Sequence, residues 1–329
     1  MDFIVHENNK KYNINIIRTG KKLLIDVINN FLLQSNLVIG LDFEFKNKNI
    51  ALMQINLECK ELDSYIFVLY PPELNKKEMH LLIKLLINPK VIKILHGGES
   101  LDIPYLINGF FKNNKDLFDQ FLKNFIDTKF LCEYYHFENQ INKKCNIYDL
   151  LNEFKVIDSK KIKFLERIEH NIGPIYLAHF DINNLNKNLI LYAIYDVIYL
   201  PKLYNKFRKI SLMYKIIIPE LTQVVYFNKY FNSEYQKIKI YVDTLNNTNF
   251  NNIKLIDHYK NKYNEIMKSI LDLNKINYFK SFIEIITKFI LYTLLINKDN
   301  SQLHFGVSSK NIKKIIHRKN VYKLFMKSI

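Results

Sequence analysis

Residues 38–45, VIGLDFEF, read as a strand at the centre of a sheet, yet they carry two acids. Side chains alternate along a strand, so Ile39, Leu41, Phe43 and Phe45 share one face while Asp42 and Glu44 share the other. Taking one carboxylate out of water is costly, and taking two out side by side costs more. Two arrangements resolve the conflict. An edge strand would turn the acidic face to solvent. A central strand would need cations on that face. The flanking segments are themselves apolar, which favours the central position.

The segments on either side build a mixed sheet around this strand. KNKN (46–49) is a polar turn, and IALMQINL (50–57) reads as a hairpin partner. SYIFVLY (64–70) is a third strand, stopped by Pro71 and Pro72. NKKEMHLLIKLLI (75–87) has helical periodicity. VIKIL (91–95) is a short buried strand running into HGGES, and a helix is expected from about Ser100 to Asn108. NFIDTKFLCEYYHF (124–137) reads as a strand tip, then a helix opened by Asp127 and Thr128. Helices continue through IYDLLNEF (147–154) and LILYAIYDVIYLPKLYNKF (189–207), and residues 11–36 read as one short strand and a helix. Three sequential strands suggest an antiparallel meander, and the later crossovers suggest parallel additions. Strand signals nearly vanish beyond Ser211, which sets a domain boundary near 210.

Composition bounds the function. With 329 residues, 48% of them hydrophobic, the chain can bury a sizeable core. The start, MDFIVHENNK, carries Asp2 and Glu7 and has no basic leader, so a secreted protein is not expected. The most apolar stretch, Phe282 to Ile296, contains Glu284 and Lys288 and falls short of the ~20 residues of a membrane span. Cys59, Cys132 and Cys145 are far apart with no C-x-x-C pair, and the nine histidines show no H-x-x-x-H pairing. That pattern suits a reducing compartment, cytoplasm or nucleus, and argues against a disulfide scaffold or a zinc ribbon. A net charge of +16 points to a polyanionic partner, although an A/T-rich genome writes the same lysine excess.

Two further acids stand where core residues are expected. Asp102 follows the HGGES loop near the first turn of a helix, where an acid is also favoured by the helix dipole. Asp196 lies in the apolar run LILYAIYDVIYL, and Tyr192, four residues earlier, shares its helix face. Asp42, Glu44, Asp102 and Asp196 sit on three separate elements that can converge at one edge of the sheet. Clustered carboxylates call for cations, and oxygen ligands favour Mg²⁺ or Mn²⁺. Two such ions about 3.5–4 Å apart are the usual arrangement for phosphodiester cleavage.

LDFEF, HGGESLDIPYL, DTKFLCEYY and LYAIYDVIYLPKLY resemble, in order, the motifs of the DEDD 3'-5' exonucleases in their RNase D-like branch. The resemblance covers roughly residues 36–207. It implies an α/β fold with an RNase H-like (DnaQ-like) mixed sheet flanked by helices, forming an exonuclease domain over 1–210. An all-helical basic accessory region would follow over 211–329. Asp42 and Glu44 match the first motif, Asp102 the second and Asp196 the third. Glu99 is the other acid near the second motif; Asp102 keeps register with IPYL. Tyr192 matches the tyrosine that orients the attacking water, and Leu191 stands where the other branch would need histidine. The resemblance implies two bound Mg²⁺ or Mn²⁺ ions and removal of nucleotides from single-stranded RNA or DNA 3' ends, releasing nucleoside 5'-monophosphates. RNA is favoured by analogy of fold alone. Asp127 matches a supporting acid. His96 is a candidate nucleic-acid contact, with a strand-end hydrogen bond as the plainer alternative. A non-catalytic nucleic-acid-binding or assembly protein that keeps the fold is the rival reading; the loss of any one of these carboxylates would have favoured it.

The charge is concentrated at the far end. Residues 211–329 hold 19 Lys and Arg against 8 Asp and Glu, a net of +11. Lys310, Lys313, Lys314 and Arg318 can share one broad helical face and are the expected grip on a nucleic-acid backbone. Replacing these four side chains by glutamine should weaken single-strand binding and flatten its salt dependence. Each lost contact should reduce the slope of log K against log salt by ~0.7, read from binding isotherms over a salt series. An unchanged slope would reject the grip.

Overall fold

The computed structural model describes residues 2–231, apart from 8–9, 19–20, 47, 60–62, 140, 142, 175–177, 179, 212–213 and 216–217. The chain opens with two strands rather than one. β1 (Asp2–Glu7) pairs antiparallel with β2 (Lys10–Ile17). β1 alternates half-buried with exposed side chains, so its sequence, DFIVHE, lacks the apolar run that marks an inner strand. α1 (Lys22–Leu32) follows, burying Leu24, Ile28 and Phe31 at helical spacing. The meander is then β3 (Val38–Lys46), β4 (Asn49–Glu58) and β5 (Ser64–Leu69), all antiparallel neighbours as expected. α2 (Lys76–Ile87) starts on a reciprocal cap. Asn75 accepts from the Lys77 and Glu78 N–H groups, and the Glu78 carboxylate accepts from the Asn75 N–H.

β6 (Ile92–Leu95) adds parallel to β3, and β7 (Phe125–Asp127) adds parallel to β6. Between them run α3 (Asp102–Tyr105), a widened turn over Leu106–Phe110, and α4 (Lys115–Leu122). The helix expected over 100–108 is therefore split. The Phe111 N–H reaches back five residues to the Leu106 carbonyl at 2.9 Å, the hydrogen bond of a π-turn. The sheet order is β1-β2-β5-β4-β3-β6-β7, with β2 parallel to β5. Its antiparallel meander with parallel additions is the mixed sheet flanked by helices that the resemblance implies. β3, near the middle, buries Ile39 and Leu41 on one face and Glu44 on the other.

Six helices complete the described chain: α5 (Thr128–Glu138), α6 (Ile147–Glu153), α7 (Ser159–Ile172), α8 (Lys187–Ile198), α9 (Leu200–Phe207) and α10 (Ile218–Phe231). The long apolar run at 189–207 is broken between α8 and α9, where Pro201 sits in the first turn of the second helix. The chain forms two units. One is residues 1–129 with 146–215 and holds the whole sheet; the other is 130–145 with 216–329. In the second unit the Phe130 and Tyr226 rings lie 5.6 Å apart, and a disulfide joins Cys132 to Cys145. That bond pairs two cysteines that the search for a C-x-x-C motif left unpaired. A thirteen-residue excursion returns the chain to α5 and brings the two Cα atoms within 6.0 Å, a closure that a search for C-x-x-C does not detect. Cys59 is free and buried. Among the described residues no helix is long and apolar enough to cross a membrane. The apolar stretch 282–296 and the basic cluster Lys310, Lys313, Lys314 and Arg318 lie outside the described residues.

One contact sets α8 against the sheet. A Cβ at Gly40 would lie 2.7 Å from the Val197 carbonyl oxygen and 3.5 Å from the Leu200 Cβ. Only glycine lets β3 come this close to α8. Asn56, directly opposite Gly40 on β4, donates from Nδ2 to the same carbonyl at 3.3 Å. Two adjacent strands thus seat one turn of α8. Gly40→Ala should force the helix off the strand and cost about 1–3 kcal/mol, as overpacking of a filled core does. Urea unfolding measures this directly, and an unchanged midpoint would show that α8 is not tightly seated.

Candidate active site

Because β3 and β6 are parallel, both release their chains at the same edge of the sheet. Asp42 and Glu44 lie near the end of β3. β6 passes through HGGES into α3, whose first residue is Asp102. The seating of α8 at Gly40 brings Asp196, the residue before Val197, to the face that bears Asp42 and Glu44. One carboxylate oxygen from each of Asp42, Glu44 and Asp196 lies within 4.8 Å of the others. Asp102 is outside this tight trio but at its margin: its charge acts on Glu44, and that of Asp42 acts on it. A Cβ at Gly98 would come within 3.3 Å of the Asp102 Oδ2, so a bare backbone there leaves room for this carboxylate.

Burial dominates the electrostatics. It pushes the Asp42 carboxyl up to about 7. Glu44, Asp102 and Asp196 are also held well above the ordinary carboxylate range, first by burial and then by one another. Among the described residues, the neighbouring charges that raise these three are all acids: Asp42, Asp102 and Asp196 on Glu44, Asp42 and Asp127 on Asp102, Asp42 and Glu169 on Asp196. The described residues thus concentrate hard oxygen donors in one place. That donor set fits Mg²⁺ or Mn²⁺.

The two tyrosines of YAIYD face different ways. The Tyr192 hydroxyl hydrogen-bonds Asp196, lowering that carboxyl against the trend of the site. The Tyr192 ring packs 6.2 Å from Phe180, beside a cluster of Ala51, Leu52, Val68 and Leu189. Tyr195 instead accepts from the Lys161 Nζ at 2.8 Å and stacks on Tyr199. Lys161, in the lysine-rich start of α7, also pairs with Glu7 at 2.7 Å, so it is engaged with the fold rather than with a phosphate. Asp127 has the supporting place expected of it. One oxygen accepts from the Gly97 and Lys129 N–H groups, both at 2.9 Å, tying the HGGES loop to the start of α5. His96 Nδ1 lies 3.0 Å from the Thr128 Oγ1, the strand-end hydrogen bond, and Thr128 donates onward to the Leu95 carbonyl.

Two further residues reach the acids. The Tyr148 hydroxyl, on α6, is buried with no hydrogen-bond partner among the described residues and feels the charges of Asp196, Asp42 and Glu44. Nothing in IYDLLNEF marks this tyrosine apart from the core positions around it. Gln54 stands opposite Asp42 on β4, fully buried, with neither amide atom hydrogen-bonded among the described residues. Its signal was readable: Gln54 and Asn56 alternate along an otherwise apolar strand, in phase with the acids of β3.

A profile of the 3'-5' exonuclease family matches residues 16–211. The uncharacterized protein L533 of Acanthamoeba polyphaga mimivirus is 32% identical over 305 residues, covering 80% of this chain and 60% of that protein. This chain therefore spans less than two thirds of that relative's length. Among solved structures, RNase D of Trypanosoma brucei aligns with a TM-score of 0.48 at 13% identity, covering 66% of this chain and 72% of that one. RNase D of Escherichia coli aligns with a TM-score of 0.46 at 14% identity, covering 95% and 75%. The matched span of 196 residues takes in β3 to β7, the HGGES loop and α8, and with them every acid of the cluster. By that match the chain belongs to the 3'-5' exonuclease domain family.

Proposed function

We propose that this chain is a metal-dependent 3'-5' exonuclease that shortens single-stranded 3' ends and releases nucleoside 5'-monophosphates, with RNA favoured over DNA. The observation that carries the reading is the gathering of Asp42, Glu44 and Asp196 within 4.8 Å, with Asp102 at the margin, in a chain of this family. These four carboxylates would hold two ions, Mg²⁺ or Mn²⁺. When bound, such ions lower the pKa of an attacking water and stabilise the leaving oxygen.

The chain's own residues set the geometry around that chemistry. β3 fixes Asp42 and Glu44 on one rigid strand, and the seating of α8 fixes Asp196 beside them. Tyr192, its hydroxyl tied to Asp196, orients the water for attack on the terminal phosphodiester. The basic region 211–329 supplies the hold on the backbone, and the uncharged bases are left unread, which suits a processing activity indifferent to sequence.

Incubation of the pure protein with 5'-labelled single-stranded RNA and DNA should give a ladder shortening from the 3' end with Mg²⁺ or Mn²⁺, and no product with EDTA. Asp42→Asn should keep the fold and abolish the ladder, because an amide cannot supply the anionic ligand. Full turnover by that variant would sink the metal assignment, and binding without cleavage by the wild type would favour a non-catalytic role.

Tyr192→Phe removes one hydroxyl and should reduce turnover by ~10²–10⁴-fold, the usual contribution of proton handling or water placement. Metal affinity, followed by Mn²⁺ titration, should stay the same. Tyr195→Phe, on the Lys161 side of the helix, should leave turnover near wild type. The reverse outcome would place the working tyrosine on the other face.

A further inference from the structure

We propose that Cys132, His136 and Cys145 form a binding site for zinc once the disulfide between the cysteines is reduced. The site lies in the second unit, is separate from the acidic cluster, and plays no part in the exonuclease reading. Cys132 and His136 are four residues apart on α5, so they share a helix face. C-x-x-x-H gives the same ligand spacing on a helix as the H-x-x-x-H pair that the histidines lack. Cys145 returns to that face from thirteen residues further on. All three side chains are buried, with relative exposures of 0%, 1% and 7% for Cys132, His136 and Cys145.

The nitrogen-to-sulfur spacings match those of a tetrahedral ion, and the two sulfurs, bonded to each other here, have to part to about 3.8 Å once reduced. His136 Nδ1 lies 3.5 Å from the Cys145 Sγ and 3.7 Å from the Cys132 Sγ, and Nε2 lies 3.8 Å from the Cys132 Sγ. With Zn–S near 2.3 Å and Zn–N near 2.0–2.1 Å, neighbouring ligand atoms of a tetrahedron stand about 3.5–3.8 Å apart. A disulfide alone gives no reason for an imidazole to lie against both sulfurs. Nδ1, the nitrogen near both sulfurs, is the donor to metal, and the 3.1 Å contact it makes with the Lys143 carbonyl in the oxidised chain gives way to the ion. Two thiolates and one imidazole select zinc over the hard ions suited to the acidic cluster. The described residues supply three of the four positions of a tetrahedral ion.

The chemistry balances in two steps. A phosphine or dithiol reductant supplies two electrons, the S–S bond breaks, and each sulfur takes a proton to become a thiol; with a phosphine, water gives the oxygen of the phosphine oxide and both protons, and with a dithiol the reductant gives up its two protons and closes to a cyclic disulfide. Zinc then displaces both thiol protons and bonds the two sulfurs and the histidine. Either way, the end of α5 stays tied to residue 145: by the disulfide under oxidising conditions, by the ion under reducing ones.

Cobalt(II) is the probe, because thiolate ligands give it a near-ultraviolet charge-transfer band that carboxylate ligands do not. The full chain is reduced with a phosphine, stripped of metal and titrated with Co²⁺, and the oxidised chain is titrated in parallel. A thiolate-to-cobalt band with the strong visible absorption of a tetrahedral ion is expected in the reduced chain only, and Zn²⁺ should bleach it. His136→Ala should weaken cobalt affinity by more than about 10-fold, since loss of even an outer-shell partner of a ligand costs that much. Thiol titration confirms the redox state, one accessible-on-unfolding thiol when oxidised and three when reduced. A fully reduced wild-type chain without the band would overturn the proposal, and so would wild-type affinity in His136→Ala. The comparison of oxidised with reduced wild type requires no variant to fold.

Discussion

The site depends on a missing side chain. Gly40 lets the Val197 carbonyl of α8 sit where a methyl group would otherwise be, 2.7 Å from the place a Cβ would take. Gly40, Asp42 and Glu44 lie on the same face of β3, so the residue that admits the helix and those that need its aspartate share one strand. Asn56 secures the approach from the neighbouring strand by bonding the same carbonyl. Helix, strand and hairpin partner therefore meet at one point, two residues from Asp42 and one from Asp196. Cores are packed too densely to absorb a shift there without displacing Asp196.

This packing carries an electrostatic cost. Removing several carboxylates from water disfavours their charged forms, and their mutual repulsion adds to the penalty. Glu44 shows both effects, with burial first and the fields of Asp42, Asp196 and Asp102 behind it. The rest of the sheet has to hold the arrangement together. Around it stand fully buried Ile39, Leu41, Leu52, Ile94 and Leu95, an apolar frame stiff enough to keep like charges close. The unpaired amide of Gln54 and hydroxyl of Tyr148 add polar groups to the same region, so the frame there is polar as well as charged.

Much of this is legible in the chain because the signals are local. Asp42 and Glu44 interrupt an apolar strand, Asp196 interrupts an apolar helix, and the strands from 38 to 95 are bounded by turn residues. What escapes is non-local or ambiguous. β1 is an outer strand of mixed polarity, recognised as a strand only through its pairing with β2. α4 follows a π-turn that periodicity does not anticipate. Tyr148 resembles any other buried aromatic in sequence, since its proximity to the acids comes from how α6 packs. The Cys132–Cys145 link depends on a chain return that no short motif encodes. That Tyr192 and Asp196 share a helix face was readable because it needs only the angle between neighbours on a helix, and their hydrogen bond follows from it.

The order of the sheet also bears on how the protein coexists with copies of itself. Among the described residues the seven-stranded sheet has two outer strands, and unpaired N–H and C=O groups on an outer strand can recruit a strand from another chain. Here one margin is β7, only three residues long, too short to template a stable pairing. The other is β1, six residues that begin and end in acid, Asp2 and Glu7, with Glu7 clamped by Lys161. The long, flat, apolar strands that would be hazardous if left bare, β3, β4 and β5, are all held inside. The strand least visible in the sequence thus protects the sheet against edge-to-edge aggregation.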